Sequence, residues 1–262
     1  MKIPFYKYQG TGNDFVMIDN RTNIFDRERR DIVSKLCDRR FGIGADGFIL
    51  LQNKEGYDFE MVYYNADGNE STMCGNGGRC IVQFAYDLGV IGNTTRFLAV
   101  DGAHDAYVKD KQVHLHMIDV TSVNDLAKDT FFLNTGSPHY VKQVERIEDF
   151  PIFETGKSVR YSEAFAPGGT NVNFMEMQGE RLFVRTYERG VEDETYSCGT
   201  GVTAAAIAAA RLGASVPVLV KTLGGELEVS FKKNQHDSNS YSDIFLIGPA
   251  KRVFEGQIEV SF

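Results

Sequence analysis

The chain has 262 residues, with 28 Lys and Arg against 36 Asp and Glu and a formal net charge of −8, which argues against nucleic acid or an anionic membrane as its main partner. A hydrophobic fraction of 42%, a charged fraction of 24%, 19 Phe and 12 Tyr describe an ordinary globular protein, without disordered or collagen-like bias and long enough for one large or two ordinary domains. In chain order, residues 3–9 and 14–19 read as strands around the turn Gly10-Thr11-Gly12-Asn13, which puts Asn13 on a loop. Asp26 is the expected N-cap of a helix through Asp38, with Ile32, Val33 and Leu36 on its apolar face. Strands follow at 47–52 and 58–65, and the polar loop NADGNESTM delivers Cys74 to a helix. Strand-like runs near 94–100, 104–109 and 112–117 close this half.

The second half repeats the order. Strands are expected near 130–135 and 139–144, a short helix around 150–160, and strands near 171–177 and 181–187. The loop ERGVEDETYS then delivers Cys198 to a helix ending at Leu212, followed by strands near 216–222, 225–231 and 242–248, with 234–240 a polar loop. The signature CGNGGRCIVQFAYDLG at Cys74 recurs as CGTGVTAAAIAAARLG at Cys198, 124 positions later (198 − 74). Two related domains are therefore expected, at 1–118 and 119–250. A final strand, about 251–262, has no counterpart in the first half and is expected to pack back on it. Successive strands with one central helix per half indicate an α+β fold rather than a doubly wound parallel sheet. The Ala-rich run 204–210 has almost no polar face, as suits a helix enclosed by strands.

A helix N-terminus carries unsatisfied N–H groups and positive potential, which favours thiolate over thiol. Cys74 and Cys198 both stand at such a point. The N–H groups of Gly75, Asn76 and Gly77, and of Gly199, Thr200 and Gly201, can also take a carboxylate. With one cysteine a thiolate and the other a thiol, one removes a proton from a carbon while the other delivers one to the opposite face. Such chemistry inverts a stereocentre without a cofactor. Cys37 and Cys80 read instead as buried small hydrophobes. No metal is expected, because Cys74 and Cys80 are not in CxxC spacing and no His pair completes a ligand set. GTGNDF and GIGADG complete neither phosphate-loop pattern. No signal peptide or membrane-spanning run is present, and four cysteines are too few for a secreted framework, so a cytoplasmic protein is expected.

GTGNDFVMID (10–19), FGIGADG (41–47), YNADGNESTMCGNGGRC (64–80), GSPHYV (136–141), GTNVNF (169–174) and YERGVEDETYSCGTG (187–201) together resemble the diaminopimelate epimerase family, in order over nearly the whole chain. The resemblance implies two pseudo-symmetric domains, each a strand barrel wrapped around a central helix, with the active site in the cleft between them. It implies cofactor-independent interconversion of LL- and meso-2,6-diaminopimelate, on the way to lysine and peptidoglycan precursors. By the same resemblance Cys74 and Cys198 are the acid/base pair, and His139 and Glu188 assist their protonation. Asn13, Asn65, Asn171, Glu188 and Arg189 would hold the substrate's amino and carboxylate groups. Taken alone, Asn13 and Asn65 also suit turns, and His139 suits a structural histidine.

Ser137 and Gly47 depart from the commoner Asn and Gln of the family, which bears on substrate contacts rather than on the cysteines. Two alternatives stand beside this reading. One is a sister amino-acid racemase of the proline or hydroxyproline type, although that pattern has His where this chain has Asn76. The other is a thiol redox or metal-binding protein, against which the absence of CxxC argues. The expected partner is a small amino acid. A homodimer is compatible with the sequence, though no motif specifies one.

Overall fold

The computed structural model describes residues 2–260, which divide into two compact units, 2–115 with 249–260, and 116–248. In the first unit the order is β1 (Lys2–Gly10), β2 (Asn13–Asp19), α1 (Arg30–Cys37), β3 (Gly47–Gln52), β4 (Glu60–Asn65), α2 (Gly75–Asp87), β5 (Thr94–Ala99), β6 (Gly102–Lys109) and β7 (Gln112–His116). The strands β2 and β3 pair in parallel, as do β4 and β5, because each pair is joined through a helix. The pairs β1–β2, β3–β4, β5–β6 and β6–β7 are antiparallel. The last strand of the chain, β17 (Lys251–Glu259), lies antiparallel to β1, with Lys2 opposite Glu259 and Gln9 opposite Lys251. Of the final strand expected from sequence, residues 261–262 lie outside the described residues.

Both faces of β2–β4 are covered, which is why FVMI and FILL are unbroken apolar runs. Val16, Ile18, Phe48, Leu50, Val62 and Tyr64 pack with Ile32, Val33 and Leu36 of α1. Ile49 and Met61 turn to the other face, where each comes within 3.4 Å of the position a Cβ on Gly77 of α2 would take. Each large apolar side chain buried in this way stabilises the unit by roughly 1.5–3 kcal/mol.

The second unit repeats the plan. After β8 (Val123–Ala127) come β9 (Thr130–Asn134), β10 (Pro138–Gln143), α3 (Ile152–Arg160), β11 (Asn171–Gln178), β12 (Arg181–Glu188), β13 (Asp193–Thr195), α4 (Gly199–Arg211), β14 (Val218–Thr222), β15 (Gly225–Lys233) and β16 (Tyr241–Gly248). The parallel pairs recur as β10–β11 and β12–β14. The registers repeat too: Phe15 lies opposite Gly47 in the first unit and His139 opposite Asn171 in the second, both displaced by 124. Val172, Phe174, Phe183 and Tyr187 form a core with Ile147 and Ile152 beside α3. α4 is buried along almost its whole length, its alanines letting the strands approach closely.

Four local expectations are corrected. Asn13 begins β2 rather than lying on a loop, because Thr11 (φ 50°) and Gly12 (φ 85°) both take left-handed conformations and close a two-residue turn. Asp26 does not cap α1; its carboxylate accepts from the Glu28 N–H in a local turn, and the helix starts four residues later at Arg30. Inside the expected loop before Cys198, Asp193–Thr195 pair with Thr186–Glu188. The strand β8 was not anticipated, since four of its five residues are exposed and leave no apolar alternation. No helix among the described residues is long and apolar enough to cross a membrane.

Candidate active site

Cys74 is the N-cap of α2, with extended backbone (φ −95°, ψ 147°) and Sγ accepting the Gly77 N–H at 3.2 Å. The loop before it is held by a turn, Gly68 N–H to Asn65 O at 2.9 Å, and by Met73 N–H to the Asp101 carboxylate at 3.3 Å. Any side chain on Gly78 would start 2.7 Å from Met73 Sδ, so the glycine lets the loop lie against the helix. Asn76 Nδ2 approaches Asn13 Oδ1 at 3.4 Å, and Asn13 Nδ2 donates to Asp46 at 2.7 Å, which fixes which way the Asn13 amide points. Arg39 in turn binds both Asp46 and Asp14 at 2.7 Å, and Lys7 pairs with Asp14 at 2.7 Å. Burial pushes the Asp14 carboxyl up, but the bonds from Arg39 and Lys7 outweigh it and hold it at about 2. Asn65 is exposed at the end of β4, opposite Gly47. The ring of Tyr63 occupies the space beside Gly47, with Cε2 2.6 Å from where a Cβ would stand.

In the second unit Cys198 is the N-cap of α4 without a side-chain capping bond, and its Sγ lies 3.5 Å from Thr200 Oγ1. Thr200 is fixed through its carbonyl, which accepts from Thr135 Oγ1 at 2.9 Å. His139 on β10 is fully buried. Its Nδ1 faces Asn173 Nδ2 at 3.1 Å, while Nε2 has no hydrogen-bond partner. Burial, then the nearby Arg189 charge, push its pKa down to about 3 against a weaker opposing bond from Asn173, so the imidazole is neutral near pH 7. Because the Asn173 amide donates to Nδ1, the ring proton sits on Nε2.

Asn171 is committed at both ends, its Nδ2 donating to Ser137 Oγ at 2.7 Å and Pro138 O at 3.0 Å, and its Oδ1 accepting the Arg189 N–H at 2.9 Å. The hydroxyl of Ser137 is thus an internal acceptor. Glu188, at the end of β12, accepts from Thr195 Oγ1 at 2.8 Å. Arg189 is exposed, with Nη1 3.4 Å from Gly168 O.

Within the first unit the structure therefore gathers Asn13, Asn76 and Cys74 at the start of α2; within the second it gathers Cys198 with Thr200, and Asn171 with Arg189. Cys37 and Cys80 are buried as expected, and burial pushes the Cys37 thiol up to about 12 and that of Cys80 well up. Sequence reasoning missed Asp46, Arg39, Arg79 and Asn173. Asn173 was readable, since alternation along β11 puts it on the same face as Asn171. Arg79 carries no such signal, because an arginine in a helix ordinarily reads as surface.

The sequence model of the Diaminopimelate epimerase family matches residues 5–122 and 131–253. The chain is 52% identical over 257 residues to the diaminopimelate epimerase of Flavobacterium psychrophilum, covering 97% of this chain and 99% of that protein. It is 43% identical to the diaminopimelate epimerase of Chlorobaculum tepidum, covering 95% and 98%. Among solved structures, a PhzF-family phenazine biosynthesis protein from Bacillus anthracis superposes with a TM-score of 0.79 at 14% identity, over 99% of this chain and 100% of that one. A hydroxyproline epimerase from Agrobacterium vitis gives 0.69 at 14% identity, over 98% and 92%. At such identity these two speak for the fold, and the near-complete matches at higher identity place this chain in the diaminopimelate epimerase family.

Proposed function

We propose that the protein is an isomerase that interconverts LL- and meso-2,6-diaminopimelate without a cofactor, supplying the precursor of lysine and peptidoglycan. The observation that carries this is the duplicated N-cap cysteine, found in a chain that is about half identical to a diaminopimelate epimerase over nearly its full length. In each turnover the thiolate of one cysteine takes the α-hydrogen as a proton, and the electron pair stays on the substrate carbon. The thiol of the other cysteine gives its proton to the opposite face, so the two sulfurs exchange protonation states and the stereocentre inverts. Neither sulfur changes oxidation state.

The N–H groups at each helix start, Gly75–Asn76 in one unit and Gly199–Thr200 in the other, suit a carboxylate, and the positive potential there suits a developing carbanion. Arg189, exposed and always charged, suits a carboxylate, and Asn13, Asn65 and Glu188 suit the ammonium and carboxylate groups. Asn171 acts by holding Ser137 and the Arg189 backbone in place. A reducing cytoplasm suits two cysteines that form no disulfide and must not be oxidised.

The test is proton NMR of the reduced protein with LL-diaminopimelate in D2O, with no cofactor added. Loss of the α-proton signal with appearance of the meso isomer is expected. Exchange with proline or hydroxyproline and none with diaminopimelate would move the specificity to a sister racemase; no exchange with any amino acid would overturn the reading.

A further inference from the structure

Arg79 lies in α2, one turn past Cys74, and is the largest fully buried side chain among the described residues. Its guanidinium turns back toward the start of the helix: Nη1 donates to Gly75 O at 3.3 Å, and Nη2 to Asn76 Oδ1 at 3.0 Å and Thr11 Oγ1 at 3.1 Å. All three acceptors are neutral, and Nε has no partner. Gly10 leaves room for it, since a Cβ there would stand 3.4 Å from Nη2 and 3.3 Å from Cys80 Sγ. No ion pair to Arg79 occurs among the described residues. Acids on and beside the elements packed around α2 are engaged elsewhere, among them Asp14 with Lys7 and Arg39, Asp101 with His104 and the Met73 N–H, Asp87 with Tyr8, Asp19 with Arg21, Asp105 with Arg96 and Glu255 with Arg252. Cys80, its chain neighbour, stays a thiol. Burial lowers the pKa of Arg79 to about 10, which leaves it protonated at neutral pH.

A buried cation with only neutral partners is costly unless a negative charge forms nearby. Among the described residues at this helix start, the group that can supply it before substrate binds is the Cys74 sulfur, which accepts the Gly77 N–H on the same turn. The second unit lacks the cation. Residue 203, displaced by 124 from Arg79, is a buried threonine whose Oγ1 donates to Gly199 O at 3.0 Å, the counterpart of the Arg79 bond to Gly75 O. The same carbonyl is satisfied in both units, once by a charge and once by a hydroxyl. Of the ionisable groups on the strands packed against α4, His139 is buried and neutral, Arg185 is paired with Glu194, Arg181 with Glu226 and Lys232 with Asp243, and Glu188 ends β12 with Arg189 of opposite sign next in the chain.

We propose that Arg79 is a positioning residue that serves as the fixed counter-charge of the Cys74 thiolate, so that Cys74 rather than Cys198 rests ionised. Its bond to Asn76 also sets the Asn76 amide, and through it Asn13. On the acid/base reading of the two cysteines, on which the catalytic meaning of this asymmetry rests, the resting protein deprotonates the substrate isomer whose α-hydrogen faces Cys74. The opposite isomer is served by the form in which the proton has moved from Cys198 to Cys74.

The test needs no substrate, so its failure is distinct from failure of the epimerase reading. Iodoacetamide alkylation is followed against pH by peptide mass spectrometry, at Cys74 in Cys198→Ala protein and at Cys198 in Cys74→Ala protein. The Cys74 midpoint is expected to lie at least about one pH unit below that of Cys198, a tenfold difference in the thiolate ratio. In the Cys198→Ala background, Arg79→Met should raise the Cys74 midpoint by about one unit or more, whereas Arg79→Lys, which keeps the charge, should restore most of it. Circular dichroism and the melting transition report whether each variant folds. Equal or reversed midpoints with Arg79 intact would overturn the proposal, as would a folded Arg79→Met protein with an unmoved Cys74 midpoint. If Arg79→Met does not fold, the comparison of the two single-cysteine proteins decides.

Discussion

Replacing Gly201 by alanine would put a Cβ 2.3 Å from Asn173 Oδ1 and 3.3 Å from Cys198 Cβ, in a wall that has no free space. Asn173 is fully buried and bound on three sides, donating to Tyr140 O at 3.0 Å and toward His139 Nδ1 at 3.1 Å, and accepting from Thr186 Oγ1 at 2.9 Å. Relieving the contact requires about an ångström of movement, which costs about 1–3 kcal/mol of overpacking. Stretching these bonds adds about 1–3 kcal/mol at roughly 1 kcal/mol each. The better helix propensity of alanine returns about 1 kcal/mol. A net loss of about 3 kcal/mol follows, within a range of about 1–5 kcal/mol, read as a lower urea midpoint by circular dichroism. Gly92→Ala is the control, because a Cβ there meets nothing within 4 Å and should change stability by no more than about 0.5 kcal/mol. The contact also predicts coupling: Asn173→Ala removes the offending oxygen, so Gly201→Ala and Asn173→Ala together should be less damaging than the sum of the two by at least about 1 kcal/mol. A Gly201→Ala protein within about 1 kcal/mol of the parent, or an additive double mutant, would refute the reasoning.

Cys74→Ala and Cys198→Ala should each lower epimerisation by at least about three orders of magnitude while leaving the unfolding free energy within about 1 kcal/mol, since in the proposed scheme each sulfur serves one face; an active single variant would end the two-base scheme. His139→Gln should flatten the loss of stability on acidification. The folded pKa of about 3 lies below the ordinary value of 6.5, so the stabilising contribution is complete above about pH 6.5 and is lost as pH falls toward 3. An unchanged stability profile over that window would contradict the neutral assignment. Asp14→Asn should do the same lower down. Its carboxyl at about 2 contributes above about pH 4 and is lost as pH falls toward 2, worth about 1–2 kcal/mol after solvent screening, and urea midpoints across that range check it. Arg189→Met should raise KM for diaminopimelate about tenfold or more with a smaller effect on kcat, and steady-state kinetics separate the two.

The strands were legible because burial on both faces leaves a strong signature: GFILLQ and EMVYYN could hardly be anything else. The cysteines were legible because two Gly-rich helix starts recur at one spacing. What could not be read was anything set by partners distant in sequence. Asp46 orients Asn13 across 33 positions, and Arg79 reaches Thr11 across 68. Asn171 illustrates a subtler limit. Its side chain has the right chemistry to meet a zwitterion, yet the fold spends both ends of the amide on Ser137, Pro138 and Arg189. Composition and spacing report which groups are present, but only the register of β10 against β11 reports which are already engaged.

That distinction bears on how a duplicated fold performs a reaction that is not symmetric in time. Two-base inversion needs two sulfurs in like settings, because each must act as acid in one direction and base in the other. Duplication provides this cheaply: both cysteines cap a 13-residue helix, after the same order of strands, with registers displaced by one constant. At any instant, however, the two sulfurs must differ by one proton, and two identical settings would leave the proton shared between protonation states of which only one is productive for a given isomer. Side chains can break that degeneracy without disturbing the backbone. Position 79 and its counterpart 203 satisfy the same helix carbonyl, the one with a cation and the other with a hydroxyl. Cys74 takes a capping N–H, whereas Cys198 has no capping bond. Similar backbones carrying different charges suit such a reaction, with the geometry kept by the repeat and the isomer taken by the resting form decided where the repeat fails.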